Sequence, residues 1–138
     1  MTTKETTKPV VLIVDDEQGM RDMLSWHLGQ LDFDVRVAAD GEAAAELLSR
    51  EAVDLVITDV TMPRLNGLQL LDVVVRLRPG AAIIMMTGFG TVETAVHVMR
   101  KGASDFLLKP FDIEHLMRRV VEVIAENPRR STGEQRVR

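Results

Sequence analysis

Four short segments hold the side chains best suited to chemistry: Asp15-Asp16, Thr58-Asp59, Thr87-Gly88 and Lys109-Pro110. Gathered around one cleft, they supply three carboxylates, a hydroxyl and an ammonium. Two carboxylates about 4 Å apart repel by about 4 kcal/mol at an effective dielectric of about 20. A divalent cation relieves that repulsion, and Lys109 relieves part of it. Hard oxygen ligands with open positions suit Mg2+, with Mn2+ able to substitute. A carboxylate beside such a cation and a lysine can attack phosphorus. Phosphoryl transfer asks for in-line positioning and neutral surroundings for three equatorial oxygens. The metal could neutralise one oxygen, Lys109 a second and the Thr87 hydroxyl a third.

Each segment follows a short apolar run. Val10–Val14, Leu55–Thr58, Ala82–Met86 and Phe106–Leu108 are near-continuous, as in strands covered on both faces. Phe33–Ala38 instead alternates, with Asp34 and Arg36 between apolar residues, which suits an edge strand with one wet face. Helical spacing links Met20, Met23, Leu24, Leu28 and Leu31, then Ala43, Ala44, Leu47 and Leu48. It continues in Leu68, Leu71, Val74 and Val75, in Val92, Ala95, Val96 and Met99, and in Ile113, Leu116, Val120 and Ile124. Asp40, Thr91 and Asp112 are candidate caps and Gly102 a stop. Strand and helix thus alternate five times, which implies an α/β fold with a five-stranded parallel sheet between helices. Ligands in such sheets bind beyond the carboxyl ends of the strands, where the four segments fall.

Bulk properties agree. A chain of 138 residues fits one domain with its own core. With no cysteine, disulfides, thiolate metal sites and cysteine nucleophiles are excluded. A net charge of -4 argues against direct nucleic-acid or anionic-membrane binding. The N-terminus lacks the apolar region of a signal peptide, and no apolar run approaches a membrane span, so the expected location is cytoplasmic. Residues 1–8 are expected to be disordered, 9–126 to form the domain and 127–138 to be a flexible tail or linker.

The segments Val11-Leu-Ile-Val-Asp-Asp-Glu17, Leu55-Val-Ile-Thr-Asp-Val-Thr-Met-Pro63, Met86-Thr-Gly88 and Gly102-Ala-Ser-Asp-Phe-Leu-Leu-Lys-Pro-Phe111 together resemble the response-regulator receiver family of two-component signalling. The resemblance covers about residues 9–125. Residues 86–111 look most like receivers of nitrogen-regulatory-type transcription activators. It implies a flavodoxin-like (βα)5 fold with strand order 2-1-3-4-5. It makes Asp59 the phosphoacceptor and Asp16 a direct metal ligand. Asp15 would act through water, and the Thr61 backbone carbonyl would complete the protein ligands. Thr87 and Lys109 would contact the phosphoryl group, Thr87 and Phe106 would form the switch, and Lys109–Pro110 would be a cis peptide. Gly88 would leave room for the phosphoryl group, and Pro63 and Gly67 would shape the loop after Asp59. The implied phosphodonor is a histidine kinase or phosphotransfer protein. The implied recipient is a downstream effector or output domain, with a homodimer through the fourth helix, fifth strand and fifth helix. Phe106 departs from the frequent tyrosine, and Asn66 and Leu65 from aspartate and methionine.

Blander readings compete. Asp15 and Asp16 could cap the first helix, Asp59 could be a turn residue and Phe106 plain core. An aspartate-nucleophile phosphatase resembling the haloacid dehalogenases would want Asp-x-Asp after the first strand, where this chain has Asp15-Asp16-Glu17. An interaction module that dispenses with phosphorylation would usually have lost the acceptor, an acid or the lysine, all of which are present. His27, His97 and His115 lack metal-ligand spacing. The tail arginines 129, 130, 136 and 138 read as a solvated linker.

Overall fold

A computed structural model describes residues 8–62 and 64–126. The expectations for residues 1–7, Pro63 and 127–138 lie outside the described residues. Strands β1 (Val10–Val14), β2 (Asp34–Ala38), β3 (Leu55–Asp59), β4 (Ala82–Thr87) and β5 (Asp105–Leu108) alternate with five helices. These are α1 (Gln18–Gln30), α2 (Gly41–Arg50), α3 (Gly67–Leu77), α4 (Val92–Arg100) and α5 (Ile113–Ala125). The sheet has the order β2-β1-β3-β4-β5, and every pair is parallel.

The continuous apolar runs are explained by two cores. Successive strand residues point to opposite faces. Leu12, Val14 and Val56 join Ala44 and Leu48 of α2, Leu70, Leu71 and Val74 of α3, and Val98 of α4. Val11, Ile13, Leu55 and Ile57 instead meet Leu24 and Leu28 of α1 and Leu116, Val120 and Ile124 of α5. Each Val, Leu or Ile among them contributes about 1.5–3 kcal/mol on burial. No helix among the described residues is long and apolar enough to cross a membrane.

Side-chain caps fix where helices begin. Asp40 accepts from the Ala43 amide at 2.8 Å, Thr91 from Thr94 at 3.1 Å and Asp112 from Glu114 at 3.0 Å. Gly102 has a φ of 117°, the conformation that ends α4. The α3 cap is a capping box between Asn66 and Gln69, a pairing the sequence reading passed over.

Two expectations need correction. β2 lies at the edge, but its alternation does not sort wet from dry: Val37 is 50% exposed, while Arg36 is half-buried and bonds Glu51 through Nε at 3.0 Å. A long arginine stem can lie along apolar surface while its head finds a carboxylate. In α4 the helical stripe faces outward. Val92 is 80% exposed, Val96 42% and Met99 44%, and Val98 is the one buried residue of the helix. A short helix over a sheet margin needs a single inward anchor, so its spacing marks a second apolar face.

Candidate functional site

Parallel register places the chemistry. Val14 pairs with Thr58, so Asp15 and Asp59 stand next to one another at the ends of β1 and β3. Asp59 in turn faces Met86, which puts Thr87 one residue further out, and the Lys109 amide donates to the Thr87 carbonyl at 2.8 Å. The expected residues Asp15, Asp59, Thr87 and Lys109 therefore share one rim.

The Lys109 ammonium joins the two inner carboxylates. Its Nζ lies 2.7 Å from Asp59 Oδ2 and 3.0 Å from Asp15 Oδ2. The other oxygens also have donors: the Thr61 amide reaches Asp59 Oδ1 at 3.0 Å and the Glu17 amide reaches Asp15 Oδ1 at 2.9 Å. Asp15 is fully buried and Asp59 nearly so. Burial disfavours the Lys109 charge, but its hydrogen bonds to Asp59 and Asp15, and their charges, outweigh that. The net effect raises its pKa above the ordinary 10.5. The Lys109–Pro110 peptide is cis.

Asp16 is different. It is exposed and, among the described residues, has no hydrogen-bond or ion-pair partner. Oxygens of Asp15, Asp16 and Asp59 nevertheless lie within 4.8 Å of one another. One lysine cannot balance three carboxylates, and each carboxylate oxygen keeps a lone pair beyond its present bond. This all-oxygen, net-negative set fits a small hard cation such as Mg2+. Thr61 sits beside it on the loop after β3.

Thr87 is buried, and its Oγ1 accepts from the Phe89 amide at 3.1 Å. Its own proton is thus free to be donated toward the rim. Gly88 next to it faces open space, with nothing within 4 Å of an added Cβ. Phe106 is half-buried and packs on the core. Its ring lies against Gly90: a Cβ there would sit 2.8 Å from Phe106 Cζ and 2.6 Å from Leu108 Cδ2.

One contributor escaped the sequence reading. Arg21 of α1 donates from Nη1 to the Asp15 carbonyl at 2.8 Å, holding the peptide that precedes Asp16. Gly67, expected to shape the loop after Asp59, allows α3 to begin against the end of β3, since a Cβ there would lie 2.3 Å from the Asp59 carbonyl oxygen. Of the histidines, His27 is half-buried with Trp26 edge-on at 5.0 Å, and His97 and His115 are exposed. None joins the site.

With this geometry stand the likenesses to known proteins. Residues 11–121 match the response regulator receiver domain, and the chain belongs to that family. It is 40% identical over 105 residues to the response regulator protein PilR of Pseudomonas aeruginosa, a match covering 76% of this chain and 24% of that protein. It is 44% identical over 110 residues to FleR of the same organism, covering 78% and 23%. It is 33% identical over 124 residues to the DNA-binding transcriptional regulator NtrC of Rhizobium meliloti, covering 90% and 26%. The chain thus spans about a quarter of the length of these curated relatives. Among solved structures, a CheY-like receiver domain protein from Methanospirillum hungatei superposes with a TM-score of 0.85 at 27% identity, covering 90% of this chain and 99% of that one. The beryllofluoride-activated NtrC4 receiver domain dimer gives 0.81 at 30% identity, covering 86% and 98%. The chain is a receiver domain of the two-component response-regulator kind, a class of signalling phosphoacceptors.

Proposed function

We propose that Asp59 accepts a phosphoryl group in an Mg2+-dependent transfer from a histidine kinase or phosphotransfer protein. The observation that carries this reading is the triangle of Asp15, Asp16 and Asp59 oxygens with Lys109 bridging only its two inner members. Asp59 is ready to attack and the remaining charge awaits a cation. Bound there, Mg2+ would supply positive charge to the phosphoryl oxygens, held by Asp16 and Asp59 directly, by Asp15 through water and by the Thr61 carbonyl. Mn2+ would serve in its place.

The chain's own residues do the rest. An Asp59 oxygen forms the new P–O bond as the P–N bond of a phosphohistidine breaks, and the imidazole nitrogen leaves with that electron pair. Lys109 keeps its proton and moves its hydrogen bond from the carboxylate to a phosphoryl oxygen. Thr87 donates its free proton to another. Hydrolysis later returns the carboxylate, so the domain acts as a switch and not as a turnover enzyme.

Drawing Thr87 toward the phosphate would leave space behind it for the Phe106 ring, now held against Gly90. The outward apolar stripe of α4, with the exposed Leu108 of β5, supports the α4–β5–α5 face as the output surface. It would meet a second copy or an output domain. The dimer of the NtrC4 receiver supports the first possibility. The reading is tested by recording amide spectra with Mg2+ and beryllofluoride, a stable phosphoryl mimic. Shifts concentrated in residues 87–125 are expected. An unchanged spectrum there, with the mimic bound, contradicts the switch.

A further inference from the structure

We infer that the N-terminus of α2 is a positioning element for the metal site, acting through Gly41 on the loop between β3 and α3. The inference builds on the metal-site reading above and assigns it a control point on a different face from α4, β5 and α5.

The loop, of which residues 60–62 and 64–66 are described, carries Thr61, whose amide holds Asp59 Oδ1. Its far end is tied to the acceptor by Gly67, whose amide bonds the Val60 carbonyl at 2.9 Å. Its outer side rests on α2. A Cβ on Gly41 would lie 2.1 Å from the Leu65 carbonyl oxygen, 2.9 Å from the Leu65 carbonyl carbon and 2.8 Å from Leu65 Cβ. Backbone atoms cannot swing aside as the end of a long side chain can. The two segments meet at a distance only glycine permits.

Arg64 strengthens the link. It has a φ of 62°, a left-handed conformation that a non-glycine residue adopts at a cost. The loop is thus held in a shape Arg64 does not favour by itself. Its guanidinium reaches back to α2, 3.4 Å from Glu42 Oε1 and 3.7 Å from Asp40 Oδ2. These exposed pairs are weak singly. They keep the segments together while Gly41 sets the spacing.

An added Cβ must therefore move one partner. The helix is the stiffer: Ala44 and Leu48 are buried in the core, and Asp40 caps its first turn. The loop is anchored in that core by Met62 and partly by Leu65, but Thr61 and Arg64 are exposed and free to move, so the loop yields. The displacement passes to Thr61 and to its bond with Asp59. Mg2+ is sensitive to such an error because it demands near-octahedral oxygens at about 2.0–2.1 Å, whereas Ca2+ tolerates about 2.3–2.6 Å and irregular shells. A displaced loop weakens Mg2+ more than Ca2+.

The test measures Mg2+ and Ca2+ dissociation constants for the unphosphorylated full chain by calorimetry, with thermal midpoints in EDTA. The proteins are the wild type, Gly41→Ala and Arg64→Gly. Gly41→Ala is expected to raise the Mg2+ constant about fivefold and the Ca2+ constant less than about twofold. Arg64→Gly relieves the backbone while removing the ion pairs, and is expected to raise the Mg2+ constant about twofold. Wild-type Mg2+ affinity in both variants overturns the inference. So does an equal loss for both ions that tracks a fall in the EDTA midpoint, since that is general destabilisation. If Gly41→Ala does not fold, Arg64→Gly makes the same decision. A wild-type chain that binds neither ion sinks the metal site and this inference together, whereas normal wild-type binding with unaffected variants sinks the inference alone.

Discussion

Lys109 donates to Asp59 at 2.7 Å from a strand two places away in the sheet, across 50 residues of sequence. The same ammonium reaches Asp15 at 3.0 Å. One cation thus holds two buried carboxylates that would otherwise repel, and leaves the third, Asp16, unpaired. Function and stability are coupled at this contact.

That coupling gives a pH prediction. The folded pKa of Lys109 is raised above 10.5, so the ammonium's contribution is fully present below 10.5 and is lost as pH climbs through the raised value. Lys109→Met leaves two buried carboxylates without their cation and should cost about 2 kcal/mol near neutral pH. Urea unfolding in EDTA at a series of pH values checks this. From neutral pH upward, the gap between wild type and variant should narrow only above about pH 10.5. A gap that closes between pH 7 and pH 9 contradicts it.

Asp16 should behave in the opposite way. It is exposed and has no protein partner, yet its oxygens crowd those of Asp15 and Asp59, so Asp16→Asn should not lower stability in EDTA, and relief of the repulsion should raise it. Saturating Mg2+ should stabilise the wild type through linkage, and the variant much less. Thermal midpoints with and without Mg2+ separate the two effects. An equal Mg2+ gain in both proteins would remove Asp16 from the ligand set.

The cap found at α3 has a definite strength. Asn66→Ala breaks a reciprocal pair, each bond 2.9 Å long, and should cost about 1 kcal/mol by urea unfolding. Gln69→Ala should cost less, because it leaves the Asn66 bond to the helix intact. A larger loss for Gln69→Ala would mean that the box is not the main restraint on that helix end.

The outward face of α4 gives a test of assembly. Val96→Glu replaces an exposed residue and should leave the fold within about 0.5 kcal/mol of wild type. With Mg2+ and beryllofluoride, light scattering should show dimers for the wild type and monomers for Val96→Glu. Dimers in both would place the contact elsewhere.

Much of this was written locally in the sequence. Continuous Val and Ile runs announced buried parallel strands, and Asp40, Thr91 and Asp112 announced helix starts, because each effect acts within a few residues. The rim residues were legible because a parallel sheet sends all strand ends the same way. The outward stripe of α4 was not, since spacing marks an apolar face without saying which side of the helix meets the sheet. Nor was the fit of Gly41 under Leu65, a contact between segments 24 residues apart that leaves no periodic trace. Nothing local marked Arg21, because the Asp15 carbonyl it holds lies just past β1, six residues back.

The central claim is that Asp59 is the acceptor and needs the metal. Intact mass after incubation with Mg2+ and acetyl phosphate tests it most directly, with borohydride trapping to map the site. One added phosphoryl group is expected, trapped at Asp59, absent in EDTA and absent in Asp59→Asn. A phosphoryl group mapped to another residue, or an equal gain in Asp59→Asn, would contradict the account.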